Sequence, residues 1–174
     1  MEVLQVQSEL DEMVAIYAAR QPKRVLEIGT WDGGTLREWL TGGAPEVVVA
    51  VDLEHRQPEA YEEWRSPGTQ LFVITGSSLE DSTRDAIRVL GPFDWVLIDG
   101  DHEDDGVRGD WEFVSTVLAA GAVVCFHDIT PPDFMQDYPP GVLVDELEAA
   151  GYHVERFQDL EPQPWARGIG VVFT

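Results

Sequence analysis

Apolar residues fall along this chain in two alternating rhythms. Short continuous runs recur at Val25-Leu-Glu-Ile28, Val47-Val-Val-Ala-Val51, Leu71-Phe-Val-Ile74, Phe93-Asp-Trp-Val-Leu-Ile98 and Gly121-Ala-Val-Val-Cys-Phe126. Their β-branched and aromatic content and lack of polar alternation predict strands buried on both faces. Between them, apolar residues stand three and four apart, the period of a helix with one packed side. Leu4 to Ala19 carries such a stripe at Leu10, Met13, Val14, Tyr17 and Ala18, and Gln21-Pro22 stops it because proline disfavours helix in the residue before it. Leu36, Trp39 and Leu40 predict a helix after the first strand, Arg84 to Leu90 another, and Trp111, Val114 and Leu118 a third over 107–118. Ser78 or Ser82 would cap the second of these. Val142 to Ala150 is a helix closed by Gly151. Glu59 to Arg65 is polar and carries no clear period. Tyr152 to Phe157 and Ile169 to Phe173 predict a terminal hairpin joined by a Pro-containing loop. Strand alternating with helix describes a doubly wound, mostly parallel α/β sheet, and 1–174 reads as a single domain without repeats.

Every one of the first, second, fourth and fifth runs ends in chemistry. The first passes into Gly29-Thr-Trp-Asp-Gly-Gly-Thr35, a glycine turn leading into a helix. Backbone N–H groups and a helix dipole meet a ligand in such a place, and glycine is read here as letting that ligand approach the main chain. The spacing Glu27-x-Gly29-x-x-x-Gly33-x-Thr35 is not the G-x-G-x-x-G that seats a pyrophosphate. An acid before the first glycine suits a cationic or amino-bearing ligand instead. The second run ends on Asp52, placed to accept both hydroxyls of an adenosine ribose, a placement that also serves NAD. The fourth ends on Asp99 and continues Gly100-Asp-His-Glu-Asp-Asp-Gly106; the fifth is followed by His127-Asp128. Open parallel sheets bind ligands at this edge.

Crowded acids between Asp99 and Asp105 must be exposed, protonated or neutralised by a cation. Glu103, Asp104 and Asp105 suit the first turn of a helix, but Asp99 ends a buried strand. Carboxylate ligands favour magnesium, calcium or manganese, and an added imidazole favours a transition ion. His102 reads either as a solvated turn residue or as a general base, since an unperturbed imidazole titrates at about 6.5. In the proline-bracketed loop from Thr130 to Pro140, Phe134, Met135 and Tyr138 either cover a substrate or pack on the domain.

Composition narrows the classes. A chain of 174 residues with a net charge of −22 repels phosphate backbones and anionic membranes, so nucleic acid and membrane partners are not expected. The single cysteine, Cys125, excludes an internal disulfide and, with no secretory or transmembrane run, agrees with a cytoplasmic protein.

The Glu27-x-Gly29-x-x-x-Gly33 stretch resembles the first motif of Rossmann-type S-adenosylmethionine-dependent methyltransferases. Ile98-Asp-Gly-Asp-His102 with Phe126-His-Asp128 looks like the small-molecule O-methyltransferase subfamily that includes macrolide-sugar and cephalosporin-pathway enzymes. The resemblance runs over nearly the whole chain. It implies a seven-stranded sheet with one reversed strand near the C-terminus and helices on both faces. It also implies S-adenosylmethionine held by Glu27, Gly29, Thr30, Trp31, Gly33, Thr35, Asp52, Leu53, Ser77, Ser78 and Asp99. Ser77 stands where the family's loop often has an acid. A divalent cation (Mg, Mn or Ca) would rest on Asp99, His127 and Asp128, with His127 where a carboxylate is usual, and His102 would be the base. The acceptor would be a small hydroxylated molecule. An NAD-dependent oxidoreductase and a non-catalytic nucleoside-binding module are the rival readings.

Overall fold

The computed structural model describes residues 6–132, 134–158 and 165–174. Four of the apolar runs form the middle of one sheet, where a strand with neighbours on both sides can hide that much apolar surface, whereas Leu71 to Ile74, expected to be buried on both faces, is the edge strand, with Phe72 and Val73 exposed. Its strands are β1 (Arg24–Ile28), β2 (Val47–Asp52), β3 (Gln70–Thr75), β4 (Phe93–Ile98), β5 (Leu118–Thr130), β6 (His153–Phe157) and β7 (Arg167–Phe173). They lie in the order β3-β2-β1-β4-β5-β7-β6. The first five pair in parallel, and β7 runs antiparallel to both β5 and β6. The expected doubly wound, mostly parallel α/β sheet with a reversed strand near the C-terminus is therefore the observed one.

The helices are α1 (Gln7–Arg20), α2 (Gly34–Thr41), α3 (Pro58–Trp64), α4 (Asp81–Arg88), α5 (Asp104–Val114) and α6 (Pro139–Ala149). Alternate strand residues point to opposite faces, so the sheet separates two cores. Val48, Ala50 and Leu97 pack with Leu10, Leu36 and Trp39 of α1 and α2. Val49, Val96 and Val124 pack with Ile87, Phe113 and Leu143 of α4, α5 and α6. In the first core Tyr17, Trp39 and Trp95 form an aromatic triangle with centroid separations of 4.6, 5.3 and 5.4 Å. Among the described residues no helix is long and apolar enough to cross a membrane.

Several local expectations are corrected. The polar segment around Glu59 is α3, started by Pro58 at its first turn. Neither Ser78 nor Ser82 caps α4; Glu80 is at its N-cap without a side-chain hydrogen bond. The helix expected over 107–118 starts earlier, at Asp104, and stops at Val114, and Leu118 opens β5 opposite Phe93. A turn at Ser115 to Val117 makes this possible, with the Phe93 N–H bonded to the Val117 carbonyl at 2.8 Å. Tertiary pairing there outweighs the helical spacing of Leu118. Leu4, at the start of the expected first helix, and the Pro-containing part of the hairpin loop over 159–164 lie outside the described residues.

Candidate functional site

The order in which successive strands are laid down reverses between β1 and β4, and a cavity of about 1170 Å³ opens along the C-terminal strand ends at that point. It extends from Ser77 after β3 to Trp165 and Ala166 before β7.

The loop after β1 is shaped by its neighbours. Gly29 has φ +86°, and a Cβ there would collide with the Asp99 carbonyl; Gly33 has φ +84°, and a Cβ would strike the Tyr61 ring. Both glycines therefore let the loop pack against β4 and α3, a requirement separate from the expected one of clearing space for a ligand, and Gly29 also lines the cavity. Asp52 fixes the same loop. One carboxylate oxygen accepts the Thr30 and Trp31 amides at 2.7 Å each, and the other accepts the Glu54 amide at 3.0 Å. Of roughly four lone-pair sites on a carboxylate, about one is left for a ligand hydroxyl, so Asp52 both builds the loop and faces the cavity.

Glu27 does not line the cavity. It is 1% exposed beneath the loop, where its Oε2 accepts the Trp39 indole N–H at 2.6 Å. Burial, reinforced by the charges of Asp99 and Asp52, holds its pKa well above the ordinary carboxyl value despite that bond.

At the ends of β4 and β5 two carboxylates and two imidazoles alternate in a closed ring. His127 Nδ1 lies 3.1 Å from Asp99 Oδ1 and 3.1 Å from Asp128 Oδ1. His102 Nε2 lies 3.3 Å from Asp99 Oδ1, and its Nδ1 lies 3.4 Å from Asp128 Oδ2 and 3.2 Å from the Tyr138 hydroxyl. A break in β-register between His127 and Thr130, with Asp128 at φ 56°, accompanies the placement of both side chains at one site. The His127 contacts are ion-pair contacts that lack the alignment of directed hydrogen bonds. Burial works against the charged form of all three groups, yet mutual attraction wins. Asp99 is held down at about 2 against the pull of burial by His127 and His102. Burial lowers both histidines, but Asp99 and Asp128 more than reverse it, leaving His102 above its usual value and His127 well above it.

Among the described residues no group of three or more His, Cys, Asp and Glu side chains has an arrangement that could hold a metal. His127 explains this physically, because its ring nitrogen occupies the place between the carboxylates that a shared cation would take. Protonated, the two imidazoles balance the two carboxylates within the ring. Asp99, His127 and Asp128, brought together as expected, do not fit a divalent ion as they stand.

Of the residues assigned to the cofactor, Gly29, Thr30, Trp31, Thr35, Asp52, Leu53, Ser77, Ser78 and Asp99 line the cavity, while Glu27 and Gly33 lie behind it. Tyr138 reaches His102, whereas Phe134 and Met135 from the same loop are 78% and 40% exposed. Sequence reading missed Pro132, Trp165 and Ala166 on the far wall. No local pattern marks Trp165 and Ala166; only β7 folding back beside β5 brings them in.

A family model described as a methyltransferase domain matches residues 26–129. No curated protein matches the chain. Among solved structures it is similar to the O-methyltransferase from Bacillus cereus in complex with SAH, at 19% identity over 99% of this chain and 83% of that one, with a TM-score of 0.72. The O-methyltransferase TomG from Streptomyces achromogenes, involved in tomaymycin synthesis and solved with SAM, is 19% identical over 94% of this chain and 78% of its own, with a TM-score of 0.66. The MycE methyltransferase of the mycinamycin biosynthetic pathway, solved with Mg and SAH, is 21% identical over 93% of this chain and 47% of its own, with a TM-score of 0.61. At such identities the likeness is one of fold.

Proposed function

The chain belongs to the methyltransferase-domain family, and from that premise we propose that this S-adenosylmethionine-dependent enzyme methylates the hydroxyl oxygen of a small molecule, with His102 as the base. The observation that carries the reading is the Asp99–His102–Tyr138 line at the cavity wall, with contacts of 3.3 and 3.2 Å. The cavity residues suit the cofactor: Thr30 and Asp52 for the ribose, Ser77 and Ser78 for the adenine. When bound, S-adenosylmethionine supplies a methyl carbon on a sulfonium that departs as a neutral thioether, so the acceptor's hydroxyl proton is the one that must be removed. Asp99 receives the Nε2–H of His102 and orients the ring, an assignment of tautomer that follows from the acid being ionised. Nδ1 then presents its lone pair near the Tyr138 hydroxyl, where an acceptor hydroxyl delivers its proton.

A divalent cation on Asp99, His127 and Asp128 is what the sequence resemblance implies, and the alternating ring of charge argues against it. No step here runs through a metal. The two readings separate in one experiment: methyl transfer and melting temperature stay unchanged with EDTA or millimolar magnesium or manganese if the imidazoles do the neutralising, whereas an ion bound to the native state raises stability.

Calorimetric titration with S-adenosylmethionine and NAD tests the cofactor. Binding of the first with weak or no binding of the second is expected, since the G-x-G-x-x-G turn is missing. The reverse result overturns the proposal.

A further inference from the structure

At about 1170 Å³ the cavity exceeds the roughly 300–1,000 Å³ of a pocket for one drug-sized ligand, so it has room for a cofactor and a second molecule. Its halves differ. Over β3, β2 and β1 the lining is the loop set described above. Over β4, β5 and β7 it includes Asp101, His102, Asp128, Tyr138, Trp165 and Ala166, with Trp31 between the halves.

No lysine or arginine lines either half. Residues 1–5, 133 and 159–164 contain none either. Positive charge facing the second half is limited to the two imidazoles, each already within 3.4 Å of Asp99 or Asp128. Arg56 stands outside the lining, stacked 3.4 Å from the centre of the Trp31 ring. Arg167 is 6% exposed and faces the Trp165 carbonyl at 3.5 Å. Three carboxylates, Asp99, Asp101 and Asp128, line this side against two imidazoles, so a carboxylate or phosphate on the acceptor would lose its water beside net negative charge, with no lysine or arginine in the lining to compensate it. An ammonium group meets the opposite situation. The walls add shape: Trp31 and Trp165 are 49% and 57% exposed, and with Tyr138 they offer flat faces suited to a ring and to a cation.

We propose that the acceptor is a hydroxylated aromatic amine and that this half of the cavity rejects acceptors bearing an anionic group. The inference rests on the cavity being a methyl-transfer site, and it adds which molecule enters.

The test uses tyramine, 4-ethylphenol and 4-hydroxyphenylacetate, para-substituted phenols whose side chains are positive, neutral and negative. Each is titrated into the protein saturated with the demethylated cofactor, and each is assayed for transfer of labelled methyl. Tyramine is expected to bind at least about tenfold tighter than 4-hydroxyphenylacetate, with 4-ethylphenol between them, because like-charge juxtaposition discriminates strongly in a desolvated site. Ala166→Lys should shrink that gap, and Trp165→Ala should weaken tyramine and 4-ethylphenol alike. Equal or tighter binding of 4-hydroxyphenylacetate overturns the proposal, as does cofactor binding with none of the three phenols bound. Failure of the cofactor itself to bind is a separate result, which removes the methyl-transfer reading and this inference with it.

Discussion

A buried and a half-buried carboxyl lie at neighbouring strands of this sheet and end in opposite states. Glu27 is on β1, and Asp99 directly follows Ile98 of β4, which pairs with Ile28 of β1. Both lose much of their water, Glu27 nearly all of it, which by itself favours the neutral acid. Glu27 has the Trp39 indole N–H at 2.6 Å and the negative Asp99 and Asp52 nearby, so its pKa is driven well up. Asp99 has His127 and His102 at 3.1 and 3.3 Å, and its pKa falls to about 2. One neutral donor does not replace hydration of a charge; two imidazolium partners do. Glu27 accordingly lies in the core under the glycine loop, and Asp99 faces the cavity above it.

The strongest way to break this contrast is at His102. His102→Ala should lower kcat by about 10²–10⁴-fold, the usual contribution of a general base, while affinity for S-adenosylmethionine stays near wild type. In the native enzyme the acid limb of the pH–rate profile should lie above pH ~6.5, because the raised pKa of His102 keeps it protonated, and inactive as a base, at higher pH. Full turnover of the variant across that profile would reduce His102 to a turn residue.

Next in size is Asp99→Ala. Removing one partner of a buried ion pair costs about 3–5 kcal/mol, and here it leaves His127, 7% exposed, with Asp128 alone. Urea denaturation at pH 7 measures it; a loss below ~1 kcal/mol would mean that the ring is held by packing.

Asp99 also sets an acid limit. Its folded-state value is about 2 against an ordinary value of 3.8, so its contribution is present above the unfolded value and lost as pH falls from there through the folded one. At about 1.4 kcal/mol per unit this amounts to about 2 kcal/mol. Melting curves between pH 5 and pH 2 should show the decline in the wild type and a flatter profile in Asp99→Asn.

The smallest effect is expected at Glu27. Its folded-state value is raised, so stability is greatest below the unfolded value and declines as pH rises towards the folded one. Glu27→Gln keeps an acceptor for Trp39 and removes that decline, leaving the variant within about 1 kcal/mol of wild type at pH 5 and equal or more stable at pH 8. A large loss at both values would show that Glu27 is needed as an ion.

Most of the sheet was legible because continuous β-branched runs and three-and-four spacing report burial directly, residue by residue. The same local patterns marked Asp52, Asp99, His102 and His127-Asp128 as strand-end chemistry, and the strand–helix alternation put those ends on one edge. They failed where a contact overrode local preference, as at Leu118, whose helical spacing lost to pairing with Phe93. Sequence alone thus determined the architecture, the edge along which the cavity opens and which side chains stand there. Tertiary structure alone decided what those side chains do to one another. It turned Gly29 and Gly33 into packing positions, withdrew Glu27 beneath the loop, and set His127 between two carboxylates in place of a shared cation. It also brought Trp165 and Ala166 to the far wall through the reversed strand β7. The reason is physical: period and polarity are properties of neighbours along the chain, while ionisation and shape at a site are set by groups that only strand order and register bring within a few ångströms.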